Sequence, residues 1–378
     1  MHNYVVSDIH GNGERLGALI NVLNKKHPEK NYMLHIMGDL FDRGDSSAQV
    51  FELIEENKNI NLLLGNHEMI FMQFMENPQV RYMDWNFNGG DRTIRSFADE
   101  ILALLLDGRV ANNENKLKEV YNAVLQNAKS RKNEKLDKNF SKYVQILQEN
   151  ILGREDITTQ EYIEAKIDRT YPQLNKSVKQ KIRNITYHLL IDKFYDMYEM
   201  FEQAKSYQIV DNKYLLVHSG NVAPNQNPEL KESGSPYINF KNCKTRADLK
   251  NQDVYSMVWS RRKNESGLAV APNERFDNLI IVYGHTTVDR FRQGENSLDP
   301  HITYDKKGRV ASIGIDGKNF DKSSGQLNCL NLDKLSLMAI KGSNEANKRN
   351  RNASPLTMTE TPIKTHEKQN FLMQLFGK

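Results

Sequence analysis

Tyr4-Val5-Val6-Ser7-Asp8-Ile9-His10-Gly11 runs three apolar residues straight into an Asp-x-His pair and a glycine. A short apolar run bounded by turn residues reads as a strand, so the polar cluster falls at its carboxyl end. The arrangement returns four times. Met33-Leu34-His35-Ile36-Met37 leads into Gly38-Asp39-Leu40-Phe41-Asp42-Arg43-Gly44, and Asn61-Leu62-Leu63-Leu64 into Gly65-Asn66-His67-Glu68. Tyr214-Leu215-Leu216-Val217 leads into His218-Ser219-Gly220, and Leu279-Ile280-Ile281-Val282-Tyr283 into Gly284-His285-Thr286-Thr287. The runs are mostly continuous rather than alternating, as in strands covered on both faces, which predicts an α/β fold. In open α/β sheets ligands bind beyond the carboxyl ends of the strands. One such cluster would be an ordinary cap or turn; five in series, all rich in oxygen and imidazole donors, are not explained by capping.

The donor types narrow the chemistry. Asp8, Asp39 and Asn66 offer oxygen, and His10, His218 and His285 offer imidazole nitrogen. That mixture suits Mn, Fe or Zn better than Ca, with no cysteine taking part. Six donors are too many for one catalytic ion with open positions, and about right for two ions sharing a carboxylate. Two ions roughly 3.5–4 Å apart clamp the attacking and leaving oxygens of an in-line displacement and generate hydroxide near neutral pH. Hydrolysis of a phosphate ester is the reaction class that follows.

The series resembles the metallophosphoesterase superfamily, and within it the bacterial and phage-type serine/threonine phosphoprotein phosphatases. The pattern Gly-Asp-x-His-Gly, Gly-Asp-x-x-Asp-Arg-Gly, Gly-Asn-His-Glu and two later histidines is present throughout, with Ser7 replacing the leading glycine. The resemblance implies a four-layer α/β/β/α sandwich of mixed sheets. It implies that Asp8 and His10 hold a first metal, that Asp39 bridges, and that Asn66, His218 and His285 hold a second, with Mn the first choice and Fe or Zn possible at one site. It gives Asp42, Arg43 and His67 roles without a metal.

Those roles make sense chemically. His67 directly follows Asn66, and a carboxylate partner such as Asp42 would hold it as an imidazolium able to protonate a departing alkoxide, an effect worth roughly 10²–10⁴-fold in rate. Arg43 carries a planar fork that matches two phosphoryl oxygens; the plainer alternative is that Asp42 and Arg43 pair with each other at a turn. Trp85-Asn86-Phe87-Asn88-Gly89-Gly90-Asp91-Arg92-Thr93 resembles the Trp…Asn-Gly-Gly…Thr segment of the bacterial and phage-type members, and Trp259-Ser260-Arg261 their Trp-x-Arg. The resemblance makes Arg261 a second phosphate-binding residue, with Arg262 the alternative. Ser312 to Gly317 and Gly325 to Asp333 resemble the closing strand pair, although Lys318 to Ser324 replaces the usual glycine-rich stretch.

Outward from these clusters the chain is less family-like. Residues 1–108 and 207–340 are expected to form the catalytic domain, with a Lys/Glu/Asn/Gln-rich helical insertion over 109–206. Leu117, Val120, Tyr121, Val124 and Leu125 fall at helical spacing, as do Phe140, Tyr143, Val144 and Leu147; Thr158-Thr159-Gln160-Glu161 reads as a helix start and Ile182 to Phe201 as a long amphipathic helix. This insertion is either a lid that selects substrate or a solvated decoration. Residues 341–378 are expected to be disordered, because few large apolar side chains offset the ordering entropy; the apolar segment 370–376 could dock on a partner, as could 109–206.

Composition sets the remaining bounds. The 378 residues suffice for a large core. Charged residues at 26% and the lack of any run near the ~18 apolar residues of a membrane span argue against membrane residence. The first strand begins at once, leaving no room for a signal peptide, and two cysteines in unlike contexts suggest a reducing cytoplasm. A net charge of +4 makes no case for specific nucleic-acid binding. Three functions compete: a serine/threonine protein phosphatase acting on a phosphorylated protein, a hydrolase of diadenosine polyphosphates or another nucleotide, and a binding module whose catalytic site has decayed.

Overall fold

Parallel pairing sets the frame. In the computed structural model, which describes residues 1–111, 113–130, 136, 138–153, 157–222, 243–261, 269–292, 297–342 and 356–363, β1 (His2–Val6) pairs in parallel with β2 (Tyr32–Met37), and β2 with β3 (Ile60–Leu63). Antiparallel β9 (Gln326–Asn331), β10 (Ser336–Gly342) and β11 (Leu356–Pro362) continue this sheet beyond β1, in the order β11-β10-β9-β1-β2-β3. A second sheet runs β4 (Tyr207–Val210), β5 (Tyr214–Val217), β6 (Ile280–Tyr283), β8 (Val310–Gly314) and β7 (His301–Tyr304), parallel from β5 through β6 to β8 and antiparallel at both edges. The fold is thus mixed α/β with two mixed sheets, consistent with a metallophosphoesterase sandwich.

The continuous apolar strands are explained by burial on both sides. Tyr214 and Leu216 of β5 and Ile280 and Val282 of β6 join Val5, Met37 and Leu330 in a core between the sheets. Their alternate neighbours Leu215, Val217, Ile281 and Tyr283 enter a second core with Leu249 and Met257, under the short helix Val254–Trp259. On the other side α1 (Gly13–Lys26) buries Leu16, Leu19, Ile20 and Leu23; α2 (Ser47–Glu56) lies between β2 and β3 in the chain. No helix among the described residues is long and apolar enough to cross a membrane, and both cysteines are buried and free.

The chain divides into two compact units: residues 1–40, 53–66 and 204–378, which contain both sheets, and residues 41–52 and 67–203. The second is larger than the 109–206 insertion read from the sequence. It also takes in α3 (Asn66–Glu76) from His67 onward, α4 (Pro78–Trp85) and α5 (Asp91–Leu105), since these helices share an aromatic core with helix Lys176–Gln203. Trp85 stacks on Phe74 at 4.7 Å and meets Phe71 and Phe194 edge-on at 5.1 and 5.5 Å. Thr158 caps helix Thr159–Thr170 with the reciprocal Glu161 bond its sequence announces.

The expected disorder after residue 340 is corrected in part. Residues 356–362 form β11, paired with β10 from Ser336 opposite Pro362 to Gly342 opposite Leu356. Its polar, threonine-rich sequence hid a strand whose β-branched residues suit an edge position, and Glu360 anchors it by an ion pair with Lys26 at 3.1 Å. Segment 370–376 lies outside the described residues.

Candidate metal centre and proton-donor pair

The first unit assembles all six sequence-predicted metal donors. Strands β1 and β2 end in register, Val6 opposite Ile36, and the loops that follow bond to each other: Asp8 N–H donates to Gly38 O at 3.1 Å, His10 N–H to Asp39 O at 2.8 Å and Gly11 N–H to Leu40 O at 2.8 Å. Gly38 is required there. Its φ is +80°, and a Cβ would stand 2.3 Å from the Gly65 nitrogen of the loop after β3.

The side chains converge. Asp8, His10, Asp39, Asn66, His218 and His285 are all buried, none more than 5% exposed. His10 Nε2 lies 3.5 Å from Asp39 Oδ2 and 4.0 Å from Asp8 Oδ1, while His218 Nε2 lies 3.3 Å from Asp39 Oδ1 and 3.1 Å from Asn66 Oδ1. Ligand atoms of Asp39, His218 and His285 all fall within 4.8 Å of one another. His218 Nδ1 is 2.6 Å from the Met37 carbonyl, which can only accept, so Nδ1 donates to it and Nε2 is the ring nitrogen turned toward the Asp39 and Asn66 oxygens. The His285 backbone N–H donates to both Asp8 oxygens at 3.2 and 3.0 Å.

Without a cation this arrangement is electrostatically unfavourable. Burial pushes the Asp8 carboxyl upward, and the Asp39 charge adds to the rise. Burial alone would lower His218, but Asp39, Asp8 and the Met37 carbonyl lift it to about 9. Burial, followed by the Arg261 guanidinium and His218, drives His285 far below the ordinary imidazole value, so its ring is neutral. His285 Nε2 is buried and has no hydrogen-bond partner among the described residues. A buried imidazole with an unpartnered ring nitrogen beside two buried carboxylates fits a divalent cation.

Arg261 follows helix Val254–Trp259, which is tied to the His218 loop through Ser219 N–H to Met257 O at 3.2 Å and Asn221 Nδ2 to Ser260 O at 3.2 Å. Arg261 Nη2 donates to the His285 carbonyl at 3.1 Å, so this arginine borders a candidate ligand. Its sequence alternative, Arg262, lies outside the described residues.

The second unit holds the other group. His67 Nδ1 is 2.8 Å from Asp42 Oδ2, and both side chains are buried, at 1% and 2% exposure. The remaining Asp42 oxygen accepts from Thr93 Oγ1 at 2.8 Å and Trp85 Nε1 at 3.1 Å, and the Asp42 N–H donates to Thr93 Oγ1 at 2.9 Å. The Asp42 carboxylate is therefore committed to His67, Trp85 and Thr93. Arg43 is exposed, its backbone fixed by an N–H bond to Gly89 O at 3.2 Å.

Sequence reasoning missed three supporting residues. The Ser7 hydroxyl donates to Asp8 Oδ2, so the departure from the family glycine adds a hydrogen bond to a ligand. Trp85 and Thr93 belong to a segment the sequence singled out, but their shared target, Asp42, lies about 50 residues upstream, and no local pattern links them. His35 bonds to Asn3 and Asn61 across the strands, and Tyr283 is a buried strand residue.

Fold and donor set together are those of a metal-dependent phosphoesterase. The family model of calcineurin-like phosphoesterases matches residues 1–160. No curated protein matches. Among solved structures the chain is similar to a candidate diadenosine tetraphosphatase (11% identity, 91% of this chain and 94% of that one, TM-score 0.35). It is also similar to a protein serine/threonine phosphatase from Saccharomyces cerevisiae with similarity to human phosphatase PP5 (15% identity, 97% and 81%, TM-score 0.35). A third is a metallophosphoesterase from Sphaerobacter thermophilus (13% identity, 100% and 95%, TM-score 0.30).

Proposed function

We propose that the protein is a phosphomonoester hydrolase, and that its substrates are phosphoserine and phosphothreonine side chains. The observation that carries the choice is the buried His67–Asp42 pair at 2.8 Å. Serine and threonine leave as strongly basic alkoxides and need a proton as the ester bond breaks. A nucleoside phosphate leaves as a stable anion and needs no such help, so a dinucleoside polyphosphate hydrolase has less use for the pair. The resemblance of Asn88-Gly89-Gly90 and Trp259-Ser260-Arg261 to protein phosphatase segments points the same way.

Asp8, His10, Asp39, Asn66, His218 and His285 are the proposed ligands of two divalent ions, Mn by preference. When bound, such ions supply Lewis-acid polarisation of the phosphoryl group and a water nucleophile at neutral pH. Asp42 keeps the His67 Nδ1 proton in place, so the proton given to the leaving oxygen comes from Nε2. Arg43 and Arg261 orient the phosphoryl oxygens.

The test compares kcat/KM of the Mn-loaded protein on a phosphoserine peptide, a diadenosine polyphosphate and an aryl phosphate. Preference for the peptide supports the proposal and preference for the dinucleotide replaces it with nucleotide hydrolysis. No turnover of any of the three indicates a binding module with a decayed site.

A further inference from the structure

Hydrogen bonds inside the second unit give the helical insertion a role beyond lid or decoration. Asp42 Oδ1 is held by Trp85 at 3.1 Å and Thr93 at 2.8 Å. Between those two donors the chain kinks at Gly89, whose φ is +109° and whose backbone lies so close to Arg43 that a Cβ there would stand 2.5 Å from the Arg43 nitrogen. Asn86, 1% exposed, spends its amide on a segment some 65 residues downstream. Its Nδ2 donates to Ile151 O at 2.9 Å and its Oδ1 accepts from Gly153 N–H at 3.1 Å. Tyr82, one helical turn earlier, donates its hydroxyl to the same Ile151 carbonyl at 3.0 Å. The elbow is closed on itself by Leu152 N–H to Ile157 O at 2.6 Å.

We infer that Asn86 is a positioning residue that locks the insertion's elbow, Ile151–Gly153, to the helix carrying Trp85, and that the elbow thereby fixes the aim of the Asp42–His67 pair. The inference rests on the reading of His67 as proton donor. Two of the Asp42 contacts come from the segment Trp85–Thr93, so the plane of the carboxylate follows that segment, and the imidazole follows the carboxylate through the 2.8 Å bond at Nδ1. The elbow holds this segment by hydrogen bonds to Asn86, while Phe194 of the same insertion packs edge-on against the Trp85 ring at 5.5 Å. A proton donor must lie within hydrogen-bond reach of the leaving oxygen, and small misplacements are costly in rate.

A role in aiming a proton donor has a signature that a merely structural role lacks, because only poor leaving groups need the proton. With the full-length Mn-loaded protein, Asn86→Ala is expected to lower kcat on a phosphoserine peptide about tenfold and on dinitrophenyl phosphate less than about twofold, a fraction of the whole general-acid effect. KM should be unchanged for both. Tyr82→Phe keeps the ring and deletes only the second bond to Ile151; it should show the same bias at about threefold and decides the matter if Asn86→Ala does not fold. His67→Asn is run alongside. If it shows a strong leaving-group bias while the Asn86 and Tyr82 variants lose both activities equally or neither, the inference is overturned and the donor reading stands. If His67→Asn shows no bias, the donor reading fails and the inference with it.

Discussion

Replacing Gly284 by alanine tests the geometry of the candidate metal centre without replacing any donor residue. A Cβ at Gly284 would lie 1.8 Å from Ser7 Oγ and 2.2 Å from Asp8 Oδ2, where ordinary contact begins near 3.4 Å. The Asp8 carboxylate would have to retreat by about 3.4 − 2.2 = 1.2 Å. It accepts from the His285 N–H at 3.0 and 3.2 Å, and a shift of that size breaks at least one of these charge-assisted bonds, each worth roughly 1.5–3 kcal/mol. Overpacking adds roughly 1–3 kcal/mol. Gly284→Ala should therefore cost about 3–5 kcal/mol in urea unfolding and lower the bound metal measured by elemental analysis after gel filtration. Gly308→Ala is the control, since Gly308 has φ +73° with nothing within 4 Å of its added Cβ; it should cost about 1 kcal/mol from backbone strain alone and leave metal content unchanged. If Gly284→Ala unfolds like the control and retains full metal, the tight approach of the β6 loop to Asp8 does not exist as described.

His67→Asn should keep its metal and lose roughly 10²–10⁴-fold in turnover of an alkyl phosphate; near-normal turnover removes His67 from the acid role. Arg261→Ala should raise KM for a phosphorylated peptide about 10- to 100-fold, the equivalent of one charge-assisted contact, and a KM within twofold of the parent would show that Arg261 does not meet the phosphate. Stripping divalent ions with a chelator should destabilise the protein, because bound metal adds its binding free energy to folding. In the stripped protein His218 titrates near 9 folded against about 6.5 unfolded. Its stabilising contribution is thus complete below pH 6.5 and lost as pH rises to 9, and urea unfolding of the stripped and metal-loaded forms across that window should show the loss in the stripped form only.

The parts of the molecule legible in the sequence are those whose residues do their work next to one another in the chain. Val5, Leu216 and Ile281 announced strands because both faces of each sheet are covered, and Thr158 and Glu161 announced a helix because the capping box is complete within four residues. The Asp8 to His285 donor series was readable as a set because each member ends a strand. Contacts across long separations were not readable. Trp85 and Thr93 act on Asp42 from about 50 residues away, and Asn86 on Gly153 from farther still. Strand β11 was missed for a different reason: an edge strand needs little apolar content when its backbone bonds and an ion pair such as Lys26–Glu360 hold it.

Backbone conformation marks six of the candidate site residues without reference to any family, although Lys30, Lys318 and Leu335 share the same positive φ. Among the described residues, thirteen non-glycine positions have positive φ. Four of them, Asp211, Asn212, Asp277 and Asn278, form Asx pairs in tight strand connections, where such residues accept this conformation readily. Six others are Asp8, His10, Asp39, Asp42, Arg43 and His285, with φ between +46° and +69°. At roughly 1–2 kcal/mol each their combined strain rivals the net stability of an ordinary domain. It persists because neighbouring loops over-determine each position, as with His10 N–H on Asp39 O and Asp42 N–H on the Thr93 hydroxyl. Glycine would remove the strain at any of these sites and would also remove the donor. That asymmetry is what function predicts and packing does not: four strained residues lie in the donor cluster of the first unit and two in the Asp42–Arg43 segment of the second. Asn66 and His67 are exempt because the first turn of α3 orients them at no such cost, and His218 because its Nδ1 bond to Met37 does the same from the end of β5.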